Sequence, residues 1–248
     1  MEQLAGKVAL ITGGTHGIGA AIAKKLAASG VNISLVARNA KESSLDKEIQ
    51  ALGVKCITIS ADLSKEEDCI VAVRDTISML GDIDIMIHSA GAAAPGGLLT
   101  GARDVWYKAF DTHVHAAFHL CAAVVPSMKK KNGGAILLIS SAAGLRGVKN
   151  ALAYATVKGA IPQFTRALAL ELSDFNIRVN CISPGIIRTR FQDFLTPEQV
   201  KNNIDNRIPL HREGTPEDVA EAAHMLITNQ FITGENISID GGMTMRIV

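Results

Sequence analysis

Aromatic side chains are scarce, at 4% of 248 residues, with one Trp and two Tyr. A core built on large rings is therefore excluded. Ala, Ile, Leu and Val dominate the 48% hydrophobic fraction, a composition suited to helices packed on a buried sheet. A charge excess is lacking too. The 25 Lys and Arg against 24 Asp and Glu leave a formal net charge of +1, which removes the electrostatic case for nucleic acid or an anionic membrane as partner. No apolar run has bilayer-spanning length, and the opening MEQLAGKVALITGG places an acid and glycines where a signal peptide needs an unbroken apolar stretch. The four cysteines, Cys56, Cys69, Cys121 and Cys181, form no CxxC and each lies in an apolar segment. Buried free thiols in a reducing compartment are expected, hence a cytoplasmic protein. Linkers, low-complexity tracts and internal repeats are absent, so one domain over residues 1–248 is predicted.

What is present is an alternation. Strand-like runs occur at 7–12, 32–37, 55–60, 83–89, 135–140, 178–183 and 236–240, with helical patterns between them. Short, nearly continuous apolar runs suit strands buried on both faces. Strand–helix repetition predicts an α/β fold with a doubly wound parallel sheet of seven strands. Helix starts are signalled by Ser64-x-x-Glu67, Thr196-Pro197-x-Gln199 and Thr215-Pro216-Glu217. The longest irregular stretch, about 186–210, has the character of a substrate lid with its own short helix after Thr196.

After the first strand comes TGGTHGIG, with Gly13, Gly17 and Gly19 spaced G-x-x-x-G-x-G and Thr15, His16 and Ile18 among them. Glycines between a strand and a helix allow a tight turn and close approach of a phosphate, and the helix N-terminus attracts its charge. A simple turn is the bland alternative; the context points to a dinucleotide. The second strand ends in Ala37-Arg38, where an NAD-preferring site usually has an acid. Arg38 can pair with a 2′-phosphate, and His16 can add a donor, so NADP(H) is favoured and NAD(H) possible.

YATVK puts Tyr154 one helical turn before Lys158. That spacing stacks both on one helix face, where an ammonium would favour the phenolate. Taken alone the pair reads equally as a half-buried Tyr beside a surface Lys. The stretches TGGTHGIG, ADL (61–63), HSAG (88–91), ISS (139–141), YATVK, SPGIIRT (183–189) and ITGENISIDGG (232–242) together resemble the short-chain dehydrogenase/reductase family in its compact Tyr-x-x-x-Lys form. The resemblance covers nearly the whole chain and implies a Rossmann-type sheet. It is similar both to bacterial-type 3-oxoacyl-carrier-protein reductases and to sugar or alcohol dehydrogenases. It implies hydride transfer between a nicotinamide and a secondary alcohol or ketone, with Tyr154 as acid/base, Lys158 lowering its pKa and Ser141, thirteen residues earlier, on the substrate oxygen. It further implies Asp62 and Leu63 at the adenine and Ala90 and Gly91 at its ribose. Pro184, Gly185, Ile187 and Thr189 would hold the carboxamide. A homotetramer is also implied, the helices near 103–130 and 152–173 pairing across one axis and the tail near 236–248 across another. The apolar tail and the small residues Ala116, Ala117, Ala122 and Ala123 are in keeping with it.

There are departures. His88-Ser89 stands where the family often has two asparagines, and His113, seven after Trp106, replaces an Asn that completes a proton path to the lysine. His113 is expected near Lys158 and neutral, either organising water or only packing. Pro162 interrupts the helix of Tyr154 and Lys158 and removes a bond to the carbonyl of Lys158. His115 and His119 have i,i+4 ligand spacing without a third ligand, so no metal site is assigned. Arg146 is placed either at the pocket or on the surface. Phe191, Phe194 and Leu195, with Arg188 and Arg190, predict an apolar or mixed substrate site. An extended epimerase fold needs a longer chain. A non-catalytic dinucleotide sensor has no use for Ser141, Tyr154 and Lys158 together.

Overall fold

Each apolar run becomes a strand, within one or two residues of its predicted ends. The computed structural model describes residues 4–193 and 195–245, with the backbone alone at Lys41. The strands are β1 (Val8–Thr12), β2 (Asn32–Ala37), β3 (Cys56–Ser60), β4 (Ile85–His88), β5 (Gly134–Ile139), β6 (Ile177–Pro184) and β7 (Asn236–Ile239). They form one parallel sheet in the order β3-β2-β1-β4-β5-β6-β7. The fold class is as predicted. Connection direction reverses between β1 and β4, which opens a crevice at their carboxyl ends.

Alternate strand residues serve opposite layers. Ile11, Ile87 and Leu137 pack under α1 (Gly17–Ala27), α2 (Leu45–Gln50) and α8 (Pro216–Thr228). Leu10, Met86 and Leu138 pack under α3 (Glu66–Leu80), α5 (Ala116–Lys131) and α6 (Leu152–Leu172). Between them in the chain lie α4 (Arg103–Phe110) and, within the irregular stretch, α7 (Pro197–Asn202). All four cysteines are free and buried. Among the described residues no helix is long and apolar enough to cross a membrane.

Helix starts divide in an instructive way. Thr196 and Thr215 each form a full capping box with Gln199 and Asp218. Ser64 does not cap α3, which begins at Glu66 after an uncapped Lys65. The Ser64 hydroxyl donates instead to Asp62 Oδ1, at 2.8 Å. A rival acceptor two residues away outcompetes the helix start.

Pro162 lies inside α6 without ending it. The carbonyl it leaves free on Lys158 accepts from the buried Ser140 hydroxyl at 2.7 Å. Gly144 closes on the same spot: a Cβ there would stand 2.6 Å from the Lys158 oxygen. The proline gap thus becomes the joint that fastens α6 to the end of β5. Ser140→Ala is expected to destabilise by about 1–3 kcal/mol, the cost of an unpaired buried acceptor. In a Pro162→Ala background the restored backbone N–H takes over that carbonyl, so the same change should cost clearly less. Equal losses in a denaturant double-mutant cycle would refute the joint.

Candidate active site

The carboxyl ends of the strands surround a cavity of ≈1040 Å³. Gly13, Thr15, His16, Gly17 and Ile18 line it from the loop after β1, and Arg38 from the end of β2. Asp62 and Leu63 follow β3, and Ala90 and Gly91 follow β4. Ser141, Tyr154, Lys158 and His113 stand on its wall, as do Pro184, Gly185, Ile187 and Thr189 after β6. Of the positions assigned to cofactor and chemistry only Gly19 is off the wall, and of the described substrate-side positions Arg188 and Leu195 are off it too. A Cβ on Gly19 would lie 2.3 Å from the Gly13 oxygen, so Gly19 lets α1 press against the loop from beneath. Gly13 has φ +63°, and a Cβ there would meet the Ala90 nitrogen at 2.8 Å. The loop therefore rests on the exit of β4 and leaves the mouth of α1 open. Thr189 covers the other side of the loop at Gly17.

These are the features a dinucleotide requires: a glycine cradle, a helix N-terminus without acids in its first turn, and a crevice of adequate volume. The first strand's loop and α1 would hold the phosphates. His16 and Arg38, both exposed, flank the entrance near Asn39. Asp62 is held below its ordinary pKa, chiefly by the Ser64 hydroxyl and least by the charge of Arg38.

Ser141 sits just past β5, half-buried, its hydroxyl oxygen accepting from the Ala143 N–H at 3.1 Å. Ser140, by contrast, is spent on the Lys158 carbonyl. That division leaves the Ser141 hydroxyl, unlike that of Ser140, without a main-chain acceptor and beside Tyr154. Lys158 is 6% exposed, and its ammonium donates to the Ile139 carbonyl at 2.8 Å. Burial pulls it down to about 8.

The expected lowering of the Tyr154 pKa by Lys158 is not found. Burial raises the phenol, and the neighbouring Ser141 hydroxyl opposes this only in part. Lys158 Nζ lies 5.8 Å from the Tyr154 ring centroid and directs its bond to Ile139. The spacing of four gives proximity on the helix face, but desolvation outweighs a charge that is not in contact. The phenol is accordingly protonated at neutral pH, the form a proton donor needs.

His113 lies in a single π-helical turn, Asp111–His115, between α4 and α5. Its Nε2 contacts both the nitrogen (3.3 Å) and the oxygen (3.1 Å) of Ala92. Its ring stands edge-on to Tyr154, centroids 5.9 Å apart, and fills the space beside Gly91. His113 thus clamps the loop after β4 to the helix below. Nδ1 is buried without a partner. His88 is its neighbour, with Nδ1 on the Thr12 hydroxyl at 2.9 Å and Nε2 unpartnered. Burial first and Lys158 second push His88 to about 4 and His113 to about 2, so both are neutral. His115 and His119 face outward toward Asp111 and Glu66.

Sequence reasoning missed several wall residues: Ser89, Ala92, Thr112, Arg207, Met243 and Thr244. The last two arrive through the turn after β7, where Asp240 accepts from the N–H groups of Gly242 and Thr244. The DGG triplet was a signal for that turn. Arg146 lines the cavity while its side chain stays exposed, so both expected placements meet in it. Phe191 lies 6.1 Å from Tyr154, centroid to centroid, whereas Phe194 is outside the described residues.

A family model described as enoyl-(acyl carrier protein) reductase matches residues 13–244. The 3-oxoacyl-[acyl-carrier-protein] reductase FabG of Chlamydia muridarum (strain MoPn / Nigg) is 37% identical over 244 residues, covering 97% of this chain and 98% of the relative. L-sorbose reductase from Gluconobacter frateurii, solved with NADPH and L-sorbose, superposes with a TM-score of 0.92 at 29% identity, covering 100% of each chain. A 7α-hydroxysteroid dehydrogenase, solved with NADH and 7-oxo glycochenodeoxycholic acid, gives 0.93 at 32% identity over 99% of this chain and 97% of that one.

The neutral histidines carry a stability consequence. Unfolded histidine takes up a proton below about pH 6.5, while folded His88 resists until about 4 and His113 until about 2. The unfolded state therefore binds more protons in this window, and stability falls as pH falls. Thermal melts should decline from about pH 6.5 toward 4, with a shallower slope in His113→Asn. Parallel slopes would contradict the burial of a neutral imidazole.

Proposed function

The chain belongs to the short-chain dehydrogenase/reductase family, and we propose that it is an NADP(H)-preferring carbonyl reductase, reversible toward a secondary alcohol. One observation carries the reading: Ser141, Tyr154 and Lys158 converge on the wall that continues the glycine cradle. A bound nicotinamide supplies or accepts the hydride. Tyr154, protonated and half-buried, donates its proton to the carbonyl oxygen, and Ser141 donates a hydrogen bond to the same oxygen. Lys158, fixed by Ile139, places a positive charge behind the phenol and steadies the phenolate left by proton transfer. His113 holds the loop after β4, and its unpartnered Nδ1 is the atom that would organise a water in place of the family amide. Residues from about 186 to 210 form the lid, with Phe191 over Tyr154.

The preference for NADP(H) rests on Arg38, exposed at the cavity where the acid selective for NAD is absent. A guanidinium pairs with a 2′-phosphate through charged hydrogen bonds. Known relatives use either cofactor, so this residue is the discriminating feature. A homotetramer is the assembly we favour. Phe118 on α5 and Leu170 on α6 are 57% and 80% exposed, apolar surface that a second copy would cover. Ala116 and Ala117 contribute nothing to such a contact, being buried in the protomer's own core, whereas Ala122 is exposed. The end of the tail, 246–248, lies outside the described residues.

Tyr154→Phe should bind cofactor normally and lose turnover by about two to four decades, the span of a general acid. Unimpaired turnover with any ketone or alcohol substrate would reject the role. Arg38→Asp should invert the cofactor preference by removing a charged bond and adding repulsion. Equal wild-type kcat/KM with NADPH and NADH would reject the assignment of Arg38. Light scattering at micromolar concentration should give four times the chain mass, and a monomer would refute the assembly.

A further inference from the structure

Three guanidinium groups line the cavity away from Arg38: Arg146, Arg190 and Arg207. Among the described residues none is paired with a carboxylate. Arg146 donates to two main-chain carbonyls, Leu145 at 3.0 Å and Thr244 at 2.6 Å. Arg207 donates to the Asn203 side-chain oxygen at 2.8 Å. Arg190 has no side-chain partner among the described residues. Neighbouring arginines off that wall behave differently. Arg188 pairs with Glu213, and Arg212 with Asp218 at 2.7 Å. All five side chains are exposed, but the two off the cavity wall are neutralised and the three on it are not. Asp62 is the only carboxylate on the cavity wall among the described residues. It belongs to the entrance near Arg38, with one oxygen held by Ser64.

The three groups are held around the reacting centre by the fold. Arg146 follows Ser141 by five residues, and Arg190 precedes Phe191, whose ring neighbours Tyr154. The segment after Arg207 is pinned to the tail: Leu210 N–H donates to the Gly241 oxygen, and a Cβ on Gly241 would press on Ile208. That same tail presents the Thr244 carbonyl to Arg146. Like charges gathered on one concave wall repel each other, though exposed side chains such as these are partly screened by water and salt. A ligand anion relieves this cost, and a neutral ligand does not.

We propose that the substrate is an oxo acid, or in the reverse direction the matching hydroxy acid, its carboxylate bound by Arg146 and Arg207 with Arg190 adding charge beside Phe191. This rests on the carbonyl-reductase reading above. The carboxylate is unchanged by the reaction. The carbonyl carbon gains a hydride from the reduced nicotinamide, which is oxidised, and the carbonyl oxygen gains the Tyr154 proton. Arginine suits the task because its planar fork accepts a carboxylate through two parallel bonds, and it never loses its charge.

The test compares oxo acids with their primary amides over a graded chain length between carbonyl and carboxylate, using the full chain and NADPH. The acid should exceed the amide in kcat/KM by roughly ten- to a hundredfold, the worth of one charged hydrogen-bonded pair. The difference should lie mainly in KM and shrink as salt is raised. Arg146→Gln and Arg207→Gln should each move the acid-to-amide ratio toward one. Nicotinamide fluorescence titration, showing cofactor still bound, identifies the variants as folded. Amides turned over as well as acids would overturn the charge assignment and leave the reductase reading standing. A ratio untouched by both variants, or a rise in the KM of the cofactor in place of the substrate's, would overturn it as well. Failure of every ketone and alcohol, charged or neutral, would instead sink the reductase reading itself.

Discussion

A lysine ammonium held almost out of water is the constraint on which the site depends. Burial works against the charge of Lys158 and lowers it to about 8, so the fold must hold the group in place rather than let it reach solvent. It does so from both ends of the residue. The ammonium donates to Ile139 at the end of β5, and the Lys158 carbonyl receives the Ser140 hydroxyl next along the same chain. Gly144, without a side chain, lets the following turn close over that carbonyl. Three features that look unrelated along the chain, a serine, a glycine and an interior proline, serve one joint. The two buried imidazoles are kept neutral by their own burial first and by the same charge second, so protonation of His88 or His113 is doubly unfavourable.

The site's position follows from topology. The chain leaves β1 in one direction and returns at β4 on its other side, so the loops after these two strands part. Gly13 rests on Ala90 at the base of that gap, and α1 points its N-terminus into it. Strand ends from β1 to β6 then contribute one loop each, short after β1 and longer after β4, β5 and β6. The sheet is rigid because its strands are buried on both faces, and the loops it carries are free to differ in chemistry. Charge is distributed accordingly, with Arg38 at the entrance and three unneutralised arginines at the inner wall.

Local signals were legible when no competitor stood nearby. The capping boxes at Thr196 and Thr215 formed because each threonine had only its own helix to serve. Ser64 carried the same signature and was diverted by Asp62. The choice of Ser141 over Ser140 was implied by the family resemblance, whereas the engagement of Ser140 with the Lys158 carbonyl is a contact between distant segments. The four alanines of α5 read alike as letters. The structure separates Ala116 and Ala117, which face the core, from Ala122, which faces out.

The sequence by itself determined the alternation of seven strands with helices, the glycine cradle, and the placing of Tyr154 and Lys158 on one helix face. These follow from periodicity and spacing, which act over a few residues and survive in any compact arrangement. The tertiary structure alone decided the electrostatics. Spacing placed Lys158 one turn from Tyr154 and implied a lowered phenol. Burial raised it instead, because desolvation depends on every element packed around a group and cannot be read from its neighbours in the chain. The same holds for the inner arginines. Whether Arg146, Arg190 and Arg207 meet a carboxylate was settled by which segments the fold brings beside them, and among the described residues it pairs none of the three with one.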